Sequence, residues 1–76
     1  MSEPVDWNPV DVSKRIVAEA YLPQLETILV RFPDGVEWAY RACPRQEWEA
    51  FTAPGRSRGQ HIFEVLNHKP NSRWAG

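Results

Sequence analysis

Few side chains in this 76-residue chain could do chemistry of their own. Cys43, His61 and His68 are the candidates for nucleophile and base near neutral pH. A Cys/His pair needs both groups at hydrogen-bonding distance, and Cys43 occupies an apolar position at an expected strand-to-helix junction. It is expected to be an inert, partly buried thiol. His61 and His68 are seven residues apart. On one continuous helix they would share a face, but at about 10 Å they are too far apart to ligate one metal. With no CxxC or HxxxH spacing, no zinc site is expected, and no cofactor. Glu47 and Glu49 are expected to be helix-stabilising surface acids rather than a catalytic pair. Pro54-Gly55-Arg56-Ser57-Arg58-Gly59 lacks the strand–loop–helix spacing of a phosphate loop. No catalytic residue is expected.

The same segment is nevertheless the best binding constellation. Ser57 and Gln60 have the spacing of a capping box at the start of a helix. Arg56 and Arg58 bring charge, Gly59 permits close approach to the backbone, and His61 lies one turn in. Such a loop suits a phosphate, a carboxylate or an acidic partner; it also suits a capped helix start with two solvated arginines. The charge distribution points the same way. Residues 1–53 hold nine acids and five bases, whereas residues 54–76 hold Glu64 against Arg56, Arg58, Lys69 and Arg73. Lys69 and Arg73 therefore join the candidate binding residues. Trp7 is added because so large a ring either folds back on the domain or engages a partner.

These residues need elements to position them, and one stretch fixes the frame. Thr27 to Arg41 is predicted to be a β-hairpin closed by Phe32-Pro33-Asp34-Gly35, with Pro33 and Asp34 at turn positions and Gly35 taking positive φ. Phe32 then faces Val36, Val30 faces Trp38 and Ile28 faces Tyr40, all on one apolar face. The other face pairs Arg31 with Glu37 and Leu29 with Ala39. A slip by one residue would exchange the faces and bury Arg31 and Glu37. Before the hairpin, Ile16 to Leu22 alternates as a strand, with Ile16, Ala18, Ala20 and Leu22 on one side and Val17, Glu19 and Tyr21 on the other. Pro23 ends it, and the short connection makes an antiparallel neighbour.

Pro44 opens a helix carrying Trp48 and Phe51, which Pro54-Gly55 terminates. Ser57 opens a second helix with Ile62, Phe63, Val65 and Leu66 as its apolar positions, stopped by Pro70. Trp74 is expected to pack across an open edge of the core. Residues 1–12, with Pro4 and Pro9, are predicted to form an extended arm, and residues 13–76 a single domain. The fold class is α+β: a three-stranded antiparallel meander with two C-terminal helices on one face, in the order βββαα.

A chain of this length buries only about 60–65% of its unfolded surface. Four tryptophans and three phenylalanines offset the small size with large buried rings. A single cysteine excludes an internal disulfide, and a cytoplasmic location is expected. The first nine residues include Glu3 and Asp6 and no base, unlike a signal peptide, and no apolar run reaches the roughly 18 residues that span a bilayer.

Together these residues resemble the KTSC domain, a short module found alone in bacterial and phage proteins and fused to the C-terminus of some lysyl-tRNA synthetases. Its pattern falls on Ser13, Ile16, Tyr21, Pro23, Thr27, Ile28, Val30, Phe32, Gly35, Trp38 and Tyr40, then on Cys43, Pro44 and Trp48, then on Ser57 and Gly59. The match runs without gaps from Ser13 to about Asn67. It implies the α+β fold and, through the synthetase fusions, a setting in RNA metabolism. Two departures stand out. The family's Gly-Tyr-Asp is Ala20-Tyr21-Leu22 here, and its asparagine after an aromatic pair is Phe63. If that asparagine serves binding in relatives, the role is lost or altered in this chain.

The sequence is thus expected to encode a non-catalytic interaction module for a protein partner, as monomer or homodimer, in a bacterium or phage. The alternative is an RNA-binding module using Arg56, Arg58, Lys69 and Arg73. A net charge of −1 weighs against it, since affinity for phosphate backbones scales with basic contacts.

Overall fold

A computed structural model describes residues 5–75. Strands β1 (Asn8–Pro9), β2 (Ala18–Leu22), β3 (Thr27–Arg31) and β4 (Glu37–Tyr40) are followed by helices α1 (Arg45–Phe51) and α2 (Arg58–Glu64) and by strand β5 (Asn71–Arg73). The strands form one antiparallel sheet in chain order, β1 to β5.

The central hairpin has the predicted register: Arg31 opposite Glu37, Val30 opposite Trp38, Leu29 opposite Ala39 and Ile28 opposite Tyr40. Its turn is closed by Gly35 N–H donating to the Phe32 carbonyl at 2.9 Å and Val36 N–H donating to Asp34 Oδ1 at 3.0 Å. Gly35 sits at φ +91°, a conformation that favours glycine. On the outer side of the hairpin, Arg31 and Glu37 form an ion pair at 2.8 Å.

The three-stranded βββαα expectation is corrected in two respects. The sheet has five strands, and the helices lie between β4 and β5 rather than at the end of the chain. Neither added strand carries apolar alternation. β1 is only two residues long and contains Pro9, which has no N–H for a ladder. β5 is Asn-Ser-Arg, exposed throughout. Both are edge strands, and their pairing comes from backbone geometry that side-chain patterning does not betray.

The predicted alternation holds within β2, and both of its faces are covered. Glu19 and Tyr21 lie opposite Val30 and Ile28, on the helix side. Ala20 and Leu22 pack on the far side with Leu29 and Ala39. Only Ile16 joins the helix-side core, because the chain bends at Val17 and the alternation breaks there. The helix-side core unites Ile16, Ile28, Val30 and Tyr40 with Phe51, Ile62 and Leu66. Trp48 of α1 stacks on Tyr21 with ring centroids 5.5 Å apart, and the Tyr21 hydroxyl donates to the Cys43 carbonyl at 2.8 Å.

The other face of the sheet is covered too. Val5, Trp7 and Trp74 pack on Ala20, Leu29 and Ala39, so segments near both ends of the chain build a second, smaller core. The Arg31 guanidinium lies 4.5 Å from the Trp7 ring centroid, a cation–π contact that its pair with Glu37 helps to hold. Of the predicted arm, residues 1–4 lie outside the described residues. Trp7→Ala is expected to lower stability by about 1–3 kcal/mol through lost apolar burial and the lost ring contact. Urea unfolding checks this: the midpoint should fall with the slope unchanged, and an unmoved midpoint would mean the ring covers nothing.

Candidate functional site

The loop between α1 and α2 and the first turn of α2 hold most of the residues singled out by sequence. Ser57 is the N-cap of α2, its Oγ accepting from the Gln60 N–H at 3.2 Å. Half of the capping box is therefore present. Gln60 does not reach back to Ser57; its amide donates to Glu64 Oε1 at 3.0 Å instead.

Arg58 turns inward onto β2. Its Nε and Nη2 donate to the two carboxylate oxygens of Glu19, each at 3.0 Å, in a bidentate pair. Both side chains are largely shielded from water, and the guanidinium lies 5.8 Å from the Phe51 ring centroid. The Glu19 hydrogen bond raises the Arg58 pKa above its ordinary value, with burial opposing it. The pair bolts the start of α2 to the centre of β2. Gly59 serves the same interface: a Cβ there would lie 3.3 Å from Arg15 Cβ, so the close approach that glycine permits is made by the chain itself.

His61, only 2% exposed, is held from both ends. Arg56 Nε donates to its Nδ1 at 2.9 Å, and its Nε2 lies 2.9 Å from Glu47 Oε1. An arginine can only donate, so Nδ1 is an acceptor and the ring proton resides on Nε2, donating to Glu47. Lys69 approaches the other oxygen of Glu47 at 3.9 Å and donates to the Ala42 carbonyl at 3.1 Å. Glu47 is therefore not a free surface acid but the hub between α1, α2 and the segment leading to β5. His68 stands apart from this hub. α2 ends at Glu64, and His68 lies on a following 3-10 turn, Leu66–His68, so the two histidines do not share one helix face.

Of the remaining candidates, Arg73 lies on the exposed edge strand β5 and Trp7 on the face of the sheet away from the helices. The predicted set thus divides: Arg56, Ser57, Gly59 and His61 cluster with the inward-turned Arg58, Lys69 attaches through Glu47, and Arg73 and Trp7 lie elsewhere. The fold also brings in residues that sequence reasoning passed over. A depression of about 290 Å³ is lined by Val12, Ser13, Lys14 and Arg15 together with Ser57, Arg58 and Gly59. Lys14 and Arg15 are exposed and form no ion pair among the described residues. On the other side of Ser57, a depression of about 410 Å³ lies against Pro54, Gly55, Arg56, His61 and Glu64. The sequence holds a signal for Glu19, a lone acid among alternating apolar residues. It holds none for the approach of Lys14 and Arg15 to α2.

Phe63 departs from its predicted core role and is 73% exposed. It stands one turn beyond Gly59 on the same side of α2. Cys43 is fully buried, and burial raises the pKa of its thiol. Among the described residues no cluster of three or more His, Cys, Asp or Glu could hold a metal ion, and no helix is long and apolar enough to cross a membrane.

These elements define a small α+β domain in which two short helices close one side of an antiparallel sheet. Among solved structures it is similar to the crystal structure of a KTSC domain protein from Yersinia pestis, with a TM-score of 0.80, covering 95% of this chain and 100% of that one at 20% identity. The chain therefore has the KTSC-domain fold, as the resemblance of its turn, strand and helix-opening motifs implied. No protein-family model matches the sequence, and no curated protein matches it.

Two outcomes test this geometry. Arg58→Ala, which leaves Glu19 buried without its partner, should cost about 3–5 kcal/mol of stability, and Glu19→Leu/Arg58→Leu much less. Equal losses in urea unfolding would refute the coupling. The raised Cys43 and Tyr40 values, both caused chiefly by burial, make the folded state favour the neutral groups. Their contribution is complete below the ordinary thiol range and is lost as pH rises through the folded values. Stability should therefore decline above about pH 9. Cys43 should also react with a thiol reagent at neutral pH only as fast as the protein opens; prompt modification of the native protein would contradict its burial.

Proposed function

We propose that this domain is a non-catalytic interaction module that binds a protein partner through the exposed side of α2 and the adjoining chain at residues 12–15. The observation that carries the reading is Phe63. A phenylalanine left in solvent on a helix whose neighbours Ile62 and Leu66 are fully packed is surface held available rather than core gone astray. Val12, 78% exposed, and Lys14 and Arg15, which form no ion pair among the described residues, adjoin the start of the same helix. Phe63 also replaces the asparagine usual in KTSC domains, which fits a change of partner rather than of fold. A non-catalytic role is supported by the chemistry of the reactive groups: the Cys43 thiol is buried and kept neutral, and both ring nitrogens of His61 are engaged.

A second reading, RNA binding, is favoured by one observation. Lys14 and Arg15 gather beside Ser57 and Gly59, a basic cleft larger than the loop alone. Against it, Arg58 is neutralised by Glu19, and so is lost to phosphate contacts.

Affinity capture from a native bacterial lysate distinguishes the two. The parent protein is expected to retain a discrete protein that Phe63→Ser loses and Lys14→Ala/Arg15→Ala weakens about 10-fold or more. Retention of the same protein by all three would remove this surface from consideration. RNA retained at low salt and shed as salt rises would establish the second reading, and none retained at low salt would end it.

A further inference from the structure

We propose that His61 is a proton-operated latch on the loop between α1 and α2. The inference goes beyond the interaction reading and does not depend on any partner. It rests on the opposite demands made on the two ring nitrogens. Nε2 donates to Glu47 at 2.9 Å, and Nδ1 accepts from Arg56 at 2.9 Å. The ring therefore fits this site with a single proton.

A second proton must go to Nδ1, where it would set N–H against N–H and one cation against another. The Glu47 bond has no such conflict, because an imidazolium donates from Nε2 as a neutral ring does and is a better partner for a carboxylate. Protonation thus keeps one contact and expels the other. Arg56 is exposed, so its guanidinium can move into water on release, whereas His61 is packed with its ring 5.5 Å from that of Phe51 and cannot follow.

The surrounding charges leave this balance to Arg56 and Glu47. From α1 the ring faces Glu47. Beyond α2, Lys69 reaches only the far oxygen of Glu47, at 3.9 Å. On α2 itself, Arg58 is neutralised by Glu19 of β2, and Glu64 lines the depression beside Arg56 while accepting from Gln60. Release of Arg56 would open that depression onto Nδ1–H and free a cation on the loop.

The test is nuclear magnetic resonance of ring and guanidinium N–H groups in the 15N-labelled protein, followed from about pH 8 to about pH 5. At the upper end His61 should carry its only ring proton on Nε2, and Arg56 Nε–H should give a resolved, shifted resonance. Whenever the ring takes up a proton on Nδ1, the Arg56 resonance should move in step to the position of a free arginine. His68, exposed on its 3-10 turn, is the internal control, and its titration should leave Arg56 unmoved. His61→Gln offers an oxygen acceptor that does not titrate in this range, so Arg56 should stay bound to the acid end. An Arg56 resonance indifferent to the proton on His61, a ring protonated at Nδ1 alone at the upper end, or release of Arg56 in His61→Gln would each overturn the proposal. Should His61→Gln fail to fold, the contrast between His61 and His68 in the parent still decides.

Discussion

The structure depends on a buried ion pair between a strand and a helix. α1 and α2 are seven residues each, too short to be stable helices on their own in water. They persist because the sheet holds them, and Arg58 with Glu19 makes the attachment directional. Apolar packing by Phe51, Ile62 and Leu66 fixes how close α2 comes to the sheet but tolerates sliding; a bidentate pair does not. Gly59 completes the fit, since a Cβ there would crowd Arg15 at 3.3 Å.

Polar satisfaction extends from that pair through the helical layer. Arg56, His61, Glu47 and Lys69 form a chain linking the α1–α2 loop, both helices and the approach to β5. Among the described residues no buried side-chain nitrogen or oxygen lacks a partner. In a low-dielectric interior such completeness matters, because each unmet group would cost about 1–3 kcal/mol. The residues most conspicuous in the sequence as binding groups are thus largely occupied in holding the helices. Among the groups that remain outward are apolar Phe63 and Val12, the cations before β2, and Arg73 on β5.

The central hairpin was legible because three independent signals coincide at Thr27 to Tyr40: turn chemistry at Pro33-Asp34-Gly35, period-two alternation, and a charge pair that fits only one register. The starts of both helices and the end of α1 were nearly as legible, through Pro44, Ser57 and the Pro54-Gly55 break, whereas α2 ends at Glu64 and not at Pro70. Which face of β2 meets the helices was not legible. Alternation within Ile16 to Leu22 favours burying the small apolar residues, and only the tertiary partner Arg58 makes Glu19 the inward choice. Edge strands β1 and β5 carry no apolar code, so their pairing lay beyond any local pattern. The same limit applies to the site. Composition located its charges in the last third of the chain, but which arginine turns in and which stays out is decided by contacts across 39 residues of sequence.

The terminal tryptophans have an architectural consequence. Trp7 and Trp74 both pack on the sheet face opposite the helices, so the first and last described segments of the chain cover the same side. A neighbouring domain spliced on at either end, or a surface to which the protein is tethered, would meet that tryptophan-lined side first. The helical layer would then point away from the attachment, unobstructed, whichever end carried the graft.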